Sequence, residues 1–210
     1  MISNDRKKNG RVCEFGRLCN LNGKIVRGDG QWDNPLAFLV GEAPGYDEFI
    51  SGYPFVGKSG QELDMYLRRF AKISRERCWV DNLVRCRPKR NKDPKVAVVA
   101  YCTDHWLRKT VLEIRPEIIV SVGRLSTQWF TGTKENMEKL HGIPLHGQLD
   151  DHEFTLLPIY HPASGLHSTH MMRFIINDFQ ALGQLVRGQI EPRQPNKQAV
   201  DYRLVEVADE

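Results

Sequence analysis

Short apolar runs alternate with longer stretches of helical periodicity along most of this chain, and that alternation restricts the fold more than any other feature. Residues 36–40, 78–83, 117–122 and 154–160 are each short and apolar enough to be buried strands, the first halting at Gly41. Between the first two, Leu63, Tyr66, Leu67, Phe70 and Ile73 recur at the three- and four-residue spacings of one helix face. Asp93-Pro94 reads as an N-cap with proline at the first helical position, opening a helix that runs to about Ile114, ahead of Pro116. A further helix is expected from Met171 or Met172 towards Val186, ending near Gly188. Strands separated by helices pair in parallel through right-handed crossovers. The expectation is therefore one three-layer α/β/α domain over residues 1–188 with a central four-stranded parallel sheet. Residues 189–210, rich in Pro, Gln and charge, read as a C-terminal surface tail.

In such folds ligands bind beyond the carboxyl ends of the strands, in the strand-to-helix loops. Three of these loops carry unusual residues: Gly41-Glu42-Ala43-Pro44-Gly45, the stretch from Asn82 to Asp93, and His161-Pro162-Ala163. One pocket could collect all three.

Charge bears on the partner only when read by position. Thirty basic residues against 26 acidic leave a net charge of +4. Residues 85–95, however, hold Arg85, Arg87, Lys89, Arg90, Lys92 and Lys95 against Asp93 alone, and the last ten residues are acidic. Five cysteines, an odd number at low density, argue against a disulfide-stapled secreted scaffold and leave metal ligands or structural thiols open. The longest apolar run, Val96 to Tyr101, is far short of the ~20 residues a membrane helix needs. No membrane association is expected, and a reducing compartment, cytoplasmic or nucleoid-associated, is.

Gly52-Tyr53-Pro54-Phe55-Val56-Gly57-Lys58-Ser59 matches the phosphate-loop pattern letter for letter. Such a loop wraps phosphates with successive backbone N–H groups immediately after a buried strand. Here Pro54 removes a donor, and the nearest strand ends ten residues earlier. A nucleotide hydrolase is thus a third-ranked reading.

Taken together, Gly41-Glu42-Ala43-Pro44-Gly45, Gly52 through Gly60, Asn82-Leu83-Val84-Arg85-Cys86-Arg87-Pro88 and His161-Pro162-Ala163 resemble the iron–sulfur uracil-DNA glycosylases, family 4 of that superfamily. Order and spacing match over residues 13–187. The resemblance implies a glycosylase that flips uracil out of single- or double-stranded DNA, leaves an abasic site, and acts as a monomer. It also implies that the phosphate-loop match is a base-stacking loop. The chemistry asks for the same residues. Cleavage needs a base or acceptor for water and stabilisation of the departing uracil anion. Glu42 suits the first role and His161 the second. Asn82 offers a donor and an acceptor to the edge of the base and Phe55 a stacking face, and Gly41, next to Glu42, is counted with the substrate-binding residues. In the family an acid six positions after the first Glu crowds the 5-position and excludes thymine; here it is Glu48.

The resemblance further implies a [4Fe–4S] cluster on Cys13, Cys19, Cys86 and Cys102, consistent with four-thiolate ligation. The first pair is C-x5-C where the family usually has C-x2-C. Zinc suits four thiolates as well, and Cys78, opening a strand, reads as a small core residue. For DNA, Arg87, Lys89, Arg90 and Lys92 are the expected phosphate contacts. Ser164, Leu166 and His167 follow His161-Pro162-Ala163, where the family inserts a wedge into the duplex. Leu166 is the expected wedge, and His167 stands where the family usually has arginine. The rival from another class is a catalytically silent nucleic-acid-binding module on the same scaffold.

Overall fold

Ala37–Gly41 (β2), Cys78–Asn82 (β3), Ile118–Val122 (β4) and His152–Ile159 (β6) are the four strands read from the sequence, and all four pair in parallel in the order β3-β2-β4-β6. The computed structural model describes residues 24–165 and 168–193. Two antiparallel edge strands enlarge the sheet to six: Asp29–Gly30 (β1) beside β3, and Leu145–Leu149 (β5) beside β6. The expected four-stranded sheet is thus the parallel centre of a six-stranded one. Neither edge strand has a run of buried apolar residues.

Alternation along the central strands separates two cores. Ala37 and Leu39 of β2 face one way, with Val80, Val120 and Leu157, against Lys58–Tyr66 (α2), its continuation Leu67–Ala71 and the long helix Thr169–Val186 (α7). Phe38 and Val40 face the other way, with Ile119 and Leu156, against Leu107, Val111 and Phe130. Those three come from the helical stretch Val96–Cys102 (α3), Thr103–Leu107 and Arg108–Ile114 (α4), and from Arg124–Thr131 (α5). Three layers result, as expected. The remaining helices are short: Tyr46–Ser51 (α1) and Met137–Leu140 (α6).

The Asp93-Pro94 expectation needs correction. The helix begins at Val96 with Lys95 as N-cap, because the Asp93 carboxylate is drawn 2.7 Å from the Arg124 guanidinium at the start of α5. The α7 helix starts at Thr169, where the Ser168 hydroxyl caps the N–H of Met171. Of the expected tail, residues 189–193 are described and Arg193 bridges to Leu145; residues 194–210 lie outside the described residues. No described helix is long and apolar enough to cross a membrane.

Candidate active site

The sheet positions the site. β2 connects to β3 on one side of it and β3 crosses back to β4 on the other, so the loops after β2 and β4 part and leave a crevice at the carboxyl ends. Gly41 and Asn82 are register partners on β2 and β3. A Cβ on Gly41 would lie 2.5 Å from the Asn82 side-chain oxygen and 2.6 Å from the Phe55 ring, so only glycine lets the two approach each other here. Glu42, Glu48, Phe55, Asn82, Lys92 and His161 line one pocket, bringing together the three loops singled out in the sequence.

Each pocket residue is held by identifiable groups. Glu42 follows β2, and its Oε1 accepts the Leu125 N–H at 3.1 Å, at the N-terminus of α5. Burial raises the Glu42 pKa above the ordinary glutamate value; the Leu125 N–H opposes this, Asp93 adds to it and Arg124 counters it. Asn82 is 3% exposed, and the Asp81 carboxylate accepts its backbone N–H at 2.8 Å. Asp81 in turn receives the Arg85 Nε at 3.2 Å, while Arg85 also donates to Thr110 and lies 5.3 Å over the Trp106 ring. Arg85 is therefore buried structure, not part of the exposed basic loop its sequence position suggests.

His161 follows β6 and stacks on Phe55, ring centroids 6.2 Å apart. Its Nδ1 accepts the Ala163 N–H at 3.2 Å, which leaves the proton of the neutral ring on Nε2. Burial lowers its pKa, with Glu48 opposing, so the neutral ring is favoured. Phe55 adopts φ +53°, a left-handed conformation uncommon for a bulky residue. Arg75 pins that turn by donating to the carbonyls of Pro54 and Phe55 at 2.7 and 3.0 Å.

The phosphate-loop match finds its explanation here. Its loop follows α1, not a strand, and the N–H groups of Val56 and Gly57 donate to Glu48 Oε1 at 3.0 and 2.9 Å. The chain's own carboxylate occupies the place a phosphate would take.

Two residues that the sequence reading passed over complete the site. Gly123 (φ +90°) follows β4 and is the N-cap of α5, and a Cβ there would come within 3.3 Å of both Glu42 Oε1 and the His161 Cβ. It stands after a buried strand just as Gly41 does, a signal available in the sequence. Asp178 is fully buried in α7. Its Oδ2 accepts the N–H of Tyr160, the residue before His161, at 2.9 Å, and its Oδ1 pairs with His141 Nδ1 at 2.6 Å. Burial pushes its pKa up to about 6, against the Tyr160 and His141 hydrogen bonds. A carboxylate at 178, between Ile175 and Leu182 on the apolar face of a helix, is the sequence mark of such a role.

Beside the pocket, Lys89 and Arg90 are exposed on the turn Lys89–Asn91, and Lys92 is exposed at the pocket itself. Half-buried Arg87 donates to Asn91 at 3.0 Å and lies 5.2 Å over the Tyr46 ring. Ser164 is exposed in the turn Pro162–Gly165, whereas Leu166 and His167 lie outside the described residues.

The thiols divide by environment. Burial pushes Cys78 up to about 12, as suits an inert core thiol. Cys86 and Cys102 are buried at 4% and 6% exposure, Cys102 against Val84 and Val98. Ile25 bridges to Cys86 and Val26 donates to the Arg85 carbonyl, so the chain leading back to Cys19 and Cys13 starts beside Cys86. Those two cysteines lie outside the described residues. Among the described residues no group of three or more His, Cys, Asp or Glu side chains could hold a metal.

Comparison with known proteins supplies the remaining finding. Residues 28–181 match the model of the uracil DNA glycosylase superfamily. The chain is 32% identical over 174 residues to the type-4 uracil-DNA glycosylase of Saccharolobus solfataricus, covering 81% of this chain and 80% of the relative. Identity to the enzyme of the same name from Sulfurisphaera tokodaii is 30%, over 91% of this chain and 86% of the relative. For that of Thermotoga maritima it is 32%, over 78% and 83%.

Proposed function

The chain belongs to the uracil DNA glycosylase superfamily, and from that premise we propose that it hydrolyses the bond between uracil N1 and deoxyribose C1′ in DNA, leaving an abasic site. The observation that carries the reading is the convergence of Glu42, Asn82 and His161, each from the end of a different strand, on one pocket shared with Phe55. A uracil flipped out of the stack is read along its Watson–Crick edge by the Asn82 amide, with its face against Phe55. As the C1′–N1 bond breaks, its electron pair leaves with uracil. The His161 Nε2–H donates to a uracil oxygen where that charge collects. Glu42 orients a water whose oxygen bonds to C1′ and whose proton the carboxylate accepts. Burial that raises its pKa makes it a stronger base. Glu48, lining the same pocket, crowds the 5-position against thymine.

Arg87, Lys89, Arg90 and Lys92 contact phosphates, joined by Ser164 and His167, with Leu166 as the wedge. This assignment is supported by the exposure of Lys89, Arg90, Lys92 and Ser164 around the pocket. Cys13, Cys19, Cys86 and Cys102 hold a [4Fe–4S] cluster. Support comes from two buried thiols on neighbouring packed segments and from the bridge that starts the N-terminal chain beside Cys86. The cluster supplies a crosslink there, tying that segment to the basic loop. Iron analysis of anaerobically purified protein should find about four irons in a brown sample, and Cys86→Ser should lose them. A colourless protein with one zinc would replace the cluster.

The function is tested by release of free uracil from a labelled single-uracil oligonucleotide. Asn82→Ala and His161→Ala should each slow release by roughly 10²–10³-fold, and Glu42→Ala by up to about 10⁴-fold. Unchanged rates in Asn82→Ala and His161→Ala would overturn the site. No release by wild type, with tight and salt-sensitive DNA binding, would select the silent binding module.

A further inference from the structure

Among the described residues six large hydrophobic side chains are exposed, and four of them, Tyr46, Ile50, Tyr53 and Val56, fall between residues 46 and 56. Single exposed apolar residues need no explanation, but a cluster does. This one is continuous with the active site, because Gly45, Glu48 and Phe55 of the same stretch line the pocket. Two of the four are tyrosines, 59% and 56% exposed. Cations are interleaved with the aromatic rings: the Arg87 guanidinium lies 5.2 Å over Tyr46, Lys24 Nζ lies 5.7 Å over Phe49, and Lys58 is exposed next to Val56 and Gly57. Of the nearby acids, Glu48 is buried and bonded, while Asp47 is exposed with its carboxylate turned close to Gly57.

Aromatic faces beside cations are what unpaired nucleotides require, since each base offers a π-face and each linkage a phosphate. A duplex keeps those faces stacked and presents only base edges in its grooves. We propose that Tyr46 and Tyr53 form a stacking platform for unpaired nucleotides flanking the flipped uracil, making single-stranded DNA the favoured substrate. The proposal rests on the glycosylase reading in taking the adjoining pocket as the site of the flipped base.

The test uses the full chain and measures equilibrium binding to a uracil-free single-stranded oligonucleotide and to the same sequence as a duplex, with uracil release assayed on uracil-containing versions of both. Tyr46→Ala and Tyr53→Ala should each weaken single-strand binding by roughly 5- to 150-fold, the range expected for one lost base–aromatic stack. Duplex binding should change less, and Tyr46→Phe and Tyr53→Phe should stay close to wild type. Both side chains are exposed, so the variants should fold, which a matching thermal midpoint would verify. Alanine variants that bind single strands like wild type would overturn the platform, and so would equal losses on both substrates. Wild-type self-association abolished by Tyr53→Ala with DNA affinity unchanged would instead make the patch a contact between copies and overturn the proposal. Absence of uracil release from wild type would sink the glycosylase reading alone, because the binding comparison would still decide the platform.

Discussion

Asn82 and His161 face one pocket from opposite sides, and each is braced by a buried carboxylate bonded to backbone at or next to it, but the two braces differ chemically. On the β3 side, Asp81 accepts the Asn82 N–H and is balanced by Arg85, whose guanidinium donates to it through Nε and Nη2. A guanidinium does not lose its charge in the working pH range, so that brace is permanent. On the β6 side, Asp178 accepts the Tyr160 N–H and is balanced by His141, whose ring also packs 4.6 Å from Tyr160. There burial pushes the Asp178 carboxyl up to about 6, so the brace itself can gain and lose its charge. The base-reading residue thus rests on a fixed support, and the anion-stabilising residue on one that responds to pH.

Removing the permanent brace should cost most. Arg85→Ala leaves Asp81 buried without its counter-charge, and denaturant unfolding should show a loss of about 3–5 kcal/mol. Asp178→Ala should cost less, about 1–3 kcal/mol, the penalty of leaving the Tyr160 N–H and His141 unpaired. Its uracil release should fall beyond what the stability loss explains, because the residue before His161 is freed. Equal stability losses in the two variants would erase the distinction between the braces.

The pH dependence sharpens the same contrast. Asp178 titrates at about 6 in the folded chain and near ~3.9 when unfolded. A folded pKa raised in this way contributes stability that is full below the unfolded value and is lost as pH rises through about 6. Wild type should therefore lose stability relative to Asp178→Asn between about pH 4 and pH 6. Parallel curves would contradict the titrating brace. The smallest effect is expected at the exposed Arg124–Asp93 pair, where Arg124→Ala should change stability by at most about 1 kcal/mol. Because Arg124 holds the Glu42 pKa down, that variant should also move the acid limb of activity slightly upward.

Much of the fold and the site could be read in the chain because the central strands carry short, mainly apolar runs and their ends are marked by abrupt glycines and polar residues. Glu42, Asn82 and His161 each follow such a run, and the crossover order brings them together. The edge strands escaped because Asp29–Gly30 has no strand character and Leu145–Leu149 carries Gly147, where a Cβ would strike the Phe154 ring. The Asp93 cap failed for a tertiary reason: Arg124, remote in sequence, takes its carboxylate. Charge density along residues 85–95 could not reveal that Arg85 turns inward, since burial is decided by Asp81 and Thr110. Asp178 was readable as a carboxylate in an apolar stripe, but its partners lie 18 and 37 residues away.

The most direct test of the whole reading is the pH profile of single-turnover uracil release from a single-stranded, single-uracil oligonucleotide by wild type and Glu42→Gln. Wild type should gain rate with rising pH through a limb above the ordinary glutamate value of about 4.3, because burial holds the Glu42 proton. Glu42→Gln should be slow and should lack that limb. A Glu42→Gln variant that releases uracil at the wild-type rate with the limb intact would contradict the assignment of Glu42 as the base that serves water.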